Sequence, residues 1–407
     1  MTNTIPSPLT VPPRPAQALP VAALLAFAMT GFIAILTETL PAGLLPQISA
    51  GIQVSEAMAG QFVSIYALGS LLAAVPLTIA TQGWRRRRTL LTAVVGFLVF
   101  NTSTTFAPNI EVALISRFMA GIAAGLSWGI LAGYARRLVP GHLQGKALAI
   151  AMVGTPIALS LGTPAGAWLG GMVGWRVSFG VMSLLALVLV AWILKAVPDL
   201  PGQRSGTRLP LRNVLRLRGI RPVLLVVMIW MLGHNVLYTY VAPYLSAHGV
   251  HDQVDTVLLT FGITALLGIW AIGATVDRWL RLLVLVCLVG FAASALVLAS
   301  AAGAAWLIYL GVGLWGLSFG GAATLLQTAA ADAAGPHVDV VQAMVTTSWN
   351  LAIALGGLSG GLLLTRFGGN SAPWAMAAMS VAALALATWA THGFRPGVRK
   401  ASPVGAH

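Results

Sequence analysis

The sequence is poor in charge and almost free of cysteine. Only 8% of its 407 residues are charged and only nine are acidic, whereas about a quarter of the residues of a soluble domain carry charge. So little charge excludes an ordinary water-soluble protein. The single cysteine, Cys287, lies inside an apolar run, so no intramolecular disulfide can form.

Several chemical signatures are also missing from the sequence. It has no Cys/His cluster with metal-ligand spacing, and no glycine loop followed by Lys-Ser or Lys-Thr. Nucleophiles and acid/base residues do not cluster either. The net charge of +14 lies in short connectors without interleaved aromatic residues, which argues against nucleic acid. We therefore expect no cofactor, no metal, no nucleic-acid partner, no ATP-driven pumping and no enzymatic activity.

Long apolar runs dominate what is present. Apolar residues make up 58% of the chain and the mean hydropathy is +0.88. A bilayer core needs roughly 20 apolar residues per helix. The sequence thus predicts an all-α integral membrane protein with twelve transmembrane helices, near residues 20–45, 58–81, 89–107, 112–138, 146–170, 177–197, 222–246, 255–276, 282–302, 304–330, 340–366 and 372–392.

The longest polar connector divides these helices six and six. It covers residues 198–221 and is rich in arginine. We expect an N-terminal half at 20–197 and a C-terminal half at 222–393, with a Pro-rich disordered tail at 1–19 and a second tail at 394–407. Many transporters are built from two such repeated halves and bind substrate between them near the bilayer midplane.

The basic residues predict the orientation. Twenty of the 23 Lys and Arg residues fall on the side of the connectors that also holds both termini, and only Arg117, Arg176 and Arg366 do not. Because cytoplasmic loops are enriched in Lys and Arg, both termini are predicted to be cytoplasmic.

Glu38 is the only acidic residue deep inside an apolar run. An intramembrane carboxylate costs several kcal/mol unless it is paired or protonated, so it indicates a functional site by default. Arg117, in the fourth predicted helix, lies at a similar depth of roughly 10 Å below the outer face. We predict a proton switch in which Arg117 stabilises ionised Glu38, and protonation or substrate binding loosens the pair. The alternatives are a static ion pair, or a Glu38 side chain that reaches outward to water.

Six segments carry a family likeness that extends from about residue 30 to 394. The chain resembles the major facilitator superfamily, in its twelve-helix drug:proton antiporter branch, and within it the bacterial sugar, arabinose and purine-ribonucleoside efflux permeases. The segments are Glu38–Pro46 (ETLPAGLLP), Arg117–Gly125 (RFMAGIAAG), Leu161–Gly170 (LGTPAGAWLG), Gly174–Phe179 (GWRVSF), Tyr238–Leu245 (YTYVAPYL) and Asn350–Gly356 (NLAIALG).

This resemblance implies the two-half facilitator fold and proton-coupled efflux of a small polar or drug-like solute. It implies a monomer among the lipids of a bacterial inner membrane. Uptake of a sugar or nutrient by proton symport is the alternative within the transporter class. A membrane enzyme or receptor without transport is the alternative from another class.

The family's charged loop between helices 2 and 3 is altered here. Thr81 stands where the family carries an Asp, whereas the second copy, between helices 8 and 9, keeps Asp277-Arg278 and, further on, Arg281. We predict that Asp277, Arg278 and Arg281 form a charge lock at the cytoplasmic gate. The alternative is that the two arginines only anchor the topology.

The fifth predicted helix carries small residues at helical spacing. Gly154, Gly162, Pro164 and Gly166 predict close helix packing. The resemblance adds that this helix meets the eighth helix across the two halves.

Polar and aromatic residues in the C-terminal half are the candidates for substrate binding. His234 and Asn235 lie midway along the seventh helix, one turn before Tyr238, where they could donate hydrogen bonds to a solute or pack between helices. Tyr238, Tyr240 and Tyr244 also fit an interfacial aromatic group. The remaining substrate-binding candidates are Gln327, Trp349 and Asn350.

Overall fold

The computed structural model describes residues 19–140, 143–202, 215–334 and 338–394, without the side chains of residues 145, 277, 338 and 339. Nearly all of the predicted tails and half of the predicted linker lie outside these ranges. The described residues form helices and connecting turns and contain no strand.

Twelve long helices follow one another along the described chain. Short helices at Leu45–Ile52 and Val241–Ala247 extend α1 and α7. The twelve are α1 Val21–Gly43, α2 Glu56–Ala80, α3 Arg86–Thr105, α4 Ile110–Arg137, α5 Lys146–Val173, α6 Trp175–Ala196, α7 Ile220–Thr239, α8 His251–Val276, α9 Arg278–Ala299, α10 Ala305–Ala334, α11 Val338–Phe367 and α12 Ser371–Trp389.

Eleven of these helices are long and apolar enough to cross a membrane. The twelfth, α3, begins with Arg86, Arg87 and Arg88 and ends in the polar stretch Asn101–Thr105, which lowers its hydropathy. Its 20 residues nevertheless equal the length of α7 and reach the roughly 20 residues that a bilayer core requires. The prediction of an all-helical membrane protein is confirmed.

Local breaks shape two of the helices. In α5 the segment Ala158–Gly162 forms a π-helical turn, which widens the helix where it carries glycine and proline. The α8–α9 junction continues the helical hydrogen bonding, but Trp279 has non-helical torsions (φ −127°, ψ 26°) that mark the bend.

Each half has its own hydrophobic core. One core is built from α1–α6 and the other from α7–α12, with a few residues from each half reaching into the other. We call the end of the bundle that holds Val21 and Trp389 the terminal end. The opposite end, which holds Leu45–Ile52 and Val241–Ala247, is the distal end.

The two halves meet mainly through their distal and middle portions. Along α7 every residue from Gly233 to Leu245 is buried, whereas burial is intermittent from Ile220 to Leu232. Helix α2 packs on α11, and α5 packs on α8. At the terminal end, the first segment of α5 packs on α1 and α4 of its own half. The interface is therefore closed at the distal end.

Candidate functional site

Glu38 lies in the distal half of α1, and its neighbours in sequence are held by other helices. The Asn101 amide of α3 donates a 3.0 Å hydrogen bond to the Thr37 hydroxyl. The Thr39 hydroxyl lies 2.7 Å from that of Thr163 on α5. Glu38 itself is only 7% exposed. It forms no hydrogen bond or ion pair with any residue that the structure describes.

Arg117 is fully buried in α4 and poorly satisfied. Its Nε donates a 3.2 Å hydrogen bond to the Phe62 carbonyl. The guanidinium carbon lies 4.8 Å from the ring centroid of Tyr66 and 5.5 Å from that of Phe179. Both Nη atoms lack a hydrogen-bond partner among the described residues. Glu38 is within electrostatic range of Arg117, but the direct ion pair does not occur among the described residues in this conformation.

Tyr238 brings the C-terminal half to the same place. Its hydroxyl lies beside those of Thr39 and Thr163 and within electrostatic range of Glu38. It makes no well-aligned hydrogen bond with any described group, although it is buried. A buried Tyr238 hydroxyl without an aligned partner among the described residues, within electrostatic range of the unpaired Glu38, thus brings polar groups from α7 and α1 to one site between the halves.

His234 lies one turn from Tyr238 inside a group of aromatic rings. It stacks on Phe319 with ring centroids 3.7 Å apart, and on Tyr238 with centroids 5.1 Å apart. The Trp315 indole donates a 3.1 Å hydrogen bond to His234 Nδ1. Because Nδ1 accepts this bond, the ring carries its proton on Nε2, and that N–H has no partner among the described residues. His234 is thereby fixed as a neutral hydrogen-bond donor.

The other predicted substrate residues are less closely connected to Glu38. Asn235 and Asn350 each donate to the carbonyl four residues earlier in their own helix, at 2.8 and 3.0 Å. Trp349 packs on a small apolar cluster between α2 and α11. Gln327 is exposed, and its carbonyl accepts a 2.9 Å hydrogen bond from Gln342. Their roles in binding stay predictions.

The glycines of α5 pack within their own half. A Cβ on Gly154 would lie 1.8 Å from the Ala28 carbonyl oxygen of α1, and one on Gly166 would lie 2.4 Å from Leu40. A Cβ on Gly162 would lie 3.1 Å from the Phe32 ring, and Pro164 is buried in the same helix. The close approach of α5 to α8 is instead made by Gly262 of α8, where a Cβ would lie 2.3 Å from the Ser160 carbonyl oxygen.

The predicted gate residues bind within the C-terminal half. Arg281 donates to the Phe394 carbonyl at 3.2 Å and to the Thr388 carbonyl at 2.9 Å, at the end of α12. The guanidinium of Arg278 lies over the Trp279 ring at 5.2 Å. The side chain of Asp277 is outside the described part of the structure, so the charge lock stays a prediction.

Asp199 is a site residue that was not predicted from the sequence. Its carboxylate forms an ion pair with Arg85 and accepts a 3.4 Å hydrogen bond from the Arg87 amide. Thr81, at the place of the missing Asp, donates only to the Leu77 carbonyl of its own helix at 2.8 Å. Asp199 therefore supplies the carboxylate that this loop lacks. It is the one acidic residue of the stretch 198–221, a signal that could have identified it.

The prediction of an interfacial aromatic group is wrong for the tyrosines of α7. Tyr238, Tyr240 and Tyr244 are at most 3% exposed, so none lies at a lipid–water boundary. Each hydroxyl instead points into the protein, and those of Tyr240 and Tyr244 donate to carbonyls of α11 and α9.

Comparison with known families gives a consistent assignment. The profile of the Major Facilitator Superfamily matches residues 27–339 and, in a second overlapping match, residues 252–406.

Three curated relatives align over most of their length. A "Probable sugar efflux transporter" of Helicobacter pylori is 26% identical over 84% of this chain and 88% of its own. A "Chloramphenicol efflux pump" of Mycobacterium tuberculosis is 31% identical over 83% and 85%. A "Transcription regulatory protein" of Pseudomonas aeruginosa is 32% identical over 87% and 90%.

A solved structure shares the fold. The chain superposes on a D-xylose-proton symporter with a TM-score of 0.70 at 17% identity, over 90% of this chain and 96% of that one. At this identity the likeness shows the arrangement of the helices and nothing finer.

Proposed function

This chain belongs to the major facilitator superfamily, and we propose that it exports a small polar or drug-like solute in exchange for protons, by alternating access. It is a multi-pass membrane protein, and its relatives support secondary transport. The observation that carries the more specific proposal is Glu38, a buried carboxyl group that has no hydrogen-bond or ion-pair partner among the described residues. It lies near an unsatisfied Arg117, where the two halves meet.

Proton coupling follows from the electrostatics of this pair. A buried charge is costly unless it is paired or neutralised, and no described residue pairs with Glu38. A proton on Glu38 removes its charge and leaves Arg117 unpaired, as in this conformation. Loss of the proton creates an attraction between Glu38 and the free Nη groups of Arg117. We propose that the two partners close to a direct ion pair in another state of the cycle, so that protonation selects between conformations.

The substrate side of the site lies on α7. His234 offers an N–H donor, and Tyr238 offers a hydroxyl that can donate or accept. Neither of these two groups makes a well-aligned hydrogen bond with a described residue, and Tyr238 is within electrostatic range of Glu38. A solute with hydroxyl or carbonyl groups could satisfy them, so its binding would compete with or reinforce the protonation of Glu38. The sugar and chloramphenicol named for two relatives are such solutes.

The placement of basic residues supports a bacterial inner membrane with both termini cytoplasmic. In that orientation the terminal end faces the cytoplasm and the closed distal end faces the periplasm. Uptake by proton symport remains the second candidate, since the fold is shared with a D-xylose-proton symporter. The same site could couple the entry of protons to the entry of the solute. A monomer suffices, because the site is completed by the two halves of one chain.

Transport in proteoliposomes tests the proposal. Labelled sugars and chloramphenicol serve as probes, with a pH gradient imposed across the membrane. We expect movement opposite to the proton flow for the wild type. Glu38→Gln should lose this driven transport, yet retain exchange of labelled for unlabelled solute at equal pH. Glu111→Gln, a carboxyl change in the first turn of α4, is the matched control and should transport normally. Full gradient-driven transport by Glu38→Gln would contradict the proposal, and solute movement along with protons would establish symport instead.

A further inference from the structure

Tyr240 is a residue of the C-terminal half that is buried in the core of the N-terminal half. It is 1% exposed and belongs to the hydrophobic core built from α1–α6, whereas Tyr238 and Tyr244 belong to the core of their own half. It stands at the break between α7 and Val241–Ala247, with non-helical torsions (φ −112°, ψ 28°). Pro243 explains the break, because it has no N–H to donate to the carbonyl of Thr239.

Glycines from both halves make room for the Tyr240 ring. A Cβ on Gly60 of α2 would lie 2.3 Å from the Tyr240 hydroxyl oxygen. A Cβ on Gly360 or Gly361 of α11 would lie 2.7 Å from the ring or the hydroxyl oxygen. Cβ atoms essentially never come this close to another heavy atom, so the ring fits only because side chains are missing on both sides.

The hydroxyl group is held by one half and contacted by the other. It donates a 2.7 Å hydrogen bond to the Gly357 carbonyl of α11, in its own half. From the N-terminal half, the Gln61 amide reaches the Tyr240 hydroxyl and the Gly357 carbonyl, both at 3.5 Å. The Ala57 carbonyl lies 3.3 Å from the same hydroxyl. We call Ala57, Gly60 and Gln61 the socket.

We propose that Tyr240 is the latch of the distal gate. The Gly357 hydrogen bond keeps the side chain in a fixed orientation on the C-terminal half. Insertion into the socket of α2 holds the distal end closed, and withdrawal from the socket opens it. This role of Tyr240 presupposes the alternating access proposed above, but it does not depend on Glu38 or on proton coupling. Tyr240 is a positioning residue in this scheme, since it acts on the relation of the two halves and not on the solute.

Tyr244 offers a matched control on the same segment. It is also 1% exposed, and its hydroxyl donates a 2.8 Å hydrogen bond to the Leu298 carbonyl of α9. The burial of Tyr244 and its hydrogen bond to a carbonyl of its own half thus match those of Tyr240, but the contacts with the socket are missing among the described residues. The contacts of Tyr244 lie within the C-terminal half, so its loss should weaken that half without opening the gate.

The test measures the distance between spin labels across the distal gate. The labels are placed at Ala50→Cys and Ser246→Cys, two exposed positions on opposite halves, in a Cys287→Ser background. Double electron–electron resonance on the full chain in lipid nanodiscs, without substrate or pH gradient, then reports the closed and open populations. We expect Tyr240→Ala to increase the ratio of open to closed molecules at least about tenfold, and Tyr244→Ala to change it less than about twofold.

Gly60→Ala tests the latch from the other half. The new methyl group occupies the socket and leaves Tyr240 intact, so it should also favour the open distance. If Tyr240→Ala does not fold, Gly60→Ala provides the test by itself. The proposal is overturned if every folded variant of Tyr240 and Gly60 gives the wild-type distances, or if Tyr244→Ala opens the gate equally. The distance measurement needs neither a proton gradient nor solute. A normal transport rate in Glu38→Gln would therefore contradict proton coupling but would leave the proposal for Tyr240 intact.

Discussion

Replacing Arg117 by methionine should leave the protein nearly as stable as before and abolish coupled transport. Methionine fills a similar elongated volume and brings no buried charge. Ordinarily the removal of one partner from a buried ion pair destabilises a protein by about 3–5 kcal/mol. The geometry around Arg117 predicts a much smaller effect, because the direct ion pair is not made in this conformation.

The contacts of Arg117 set the expected magnitude. The variant loses one hydrogen bond from a charged group, the 3.2 Å bond to Phe62, which stabilises by about 1.5–3 kcal/mol. It also loses the contacts of the guanidinium with Tyr66 and Phe179, at about 0.5–2 kcal/mol each. Against this, the two Nη atoms of Arg117 are buried and have no hydrogen-bond partner in the described part of the chain, at a cost of about 1–3 kcal/mol each. The two sums nearly cancel, so we expect a change below about 2 kcal/mol.

Equilibrium unfolding in mixed micelles measures the stability, and proteoliposomes measure transport. Arg176→Met is a suitable control. Arg176 also lies over an aromatic ring, Trp175 at 4.3 Å, and donates a 2.9 Å hydrogen bond to the Ala107 carbonyl. It is only partly buried, and none of its nitrogens is a buried atom without a partner. Arg176→Met should retain transport with a modest loss of stability.

Two results would refute this reasoning. A loss of 3 kcal/mol or more in Arg117→Met, not additive with the loss in Glu38→Gln, would show that the two residues form an ion pair in the ground state. Normal gradient-driven transport by Arg117→Met would show that the guanidinium takes no part in coupling.

Three further predictions concern orientation, packing and the terminal end. A periplasm-dependent reporter should be active after Gln53 or Gly369 and inactive at the C-terminus; the reverse pattern would overturn the proposed orientation. Gly121→Ala should prevent accumulation of folded protein, because the new Cβ would lie 2.0 Å from the Tyr66 carbonyl oxygen. Gly133→Ala on the same helix should be tolerated, because its Cβ would have no described atom within 4 Å. Asp199→Asn should lower the unfolding free energy by less than about 1 kcal/mol, since the Arg85 side chain of the ion pair is 68% exposed. A larger loss of unfolding free energy would show that this contact stabilises the protein more than a surface ion pair does.

Much of the architecture could be predicted because the bilayer restricts the possible solutions. A run of about 20 apolar residues in a membrane must be a helix, so the twelve helices follow from the lengths of the runs. The structure confirms even α3 as a helix, although its polar ends lower its hydropathy and its role as a span stays a prediction. The π-helical turn Ala158–Gly162 could not be predicted, since it depends on how α5 packs on α1 and α8.

The site was harder to predict because its chemistry depends on tertiary placement. Glu38 and Arg117 were recognised by the cost of their charges in a membrane. Their separation beyond ion-pair distance depends on the packing of α1 against α4, which one sequence does not specify. Tyr238 and Tyr240 illustrate a similar limit. Two residues apart on an ideal helix, they point roughly 200° away from each other, but which one faces Glu38 and which one enters the socket depends on the neighbouring helices.

The arginines of the terminal end bind within each half. In the N-terminal half, Arg85 pairs with Asp199, in the segment that follows α6. In the C-terminal half, Arg281 binds the carbonyls of Thr388 and Phe394, at the end of α12. Each loop is thus tied to the last helix of its own half, as expected for a repeated unit. At the distal end the halves are joined by apolar packing and by the weak hydrogen bonds of Tyr240 and Gln61. Since the contacts of these arginines stay within each half, and the hydrogen bonds across the distal end are 3.3–3.5 Å long, we expect the halves to move as rigid bodies between states of similar free energy.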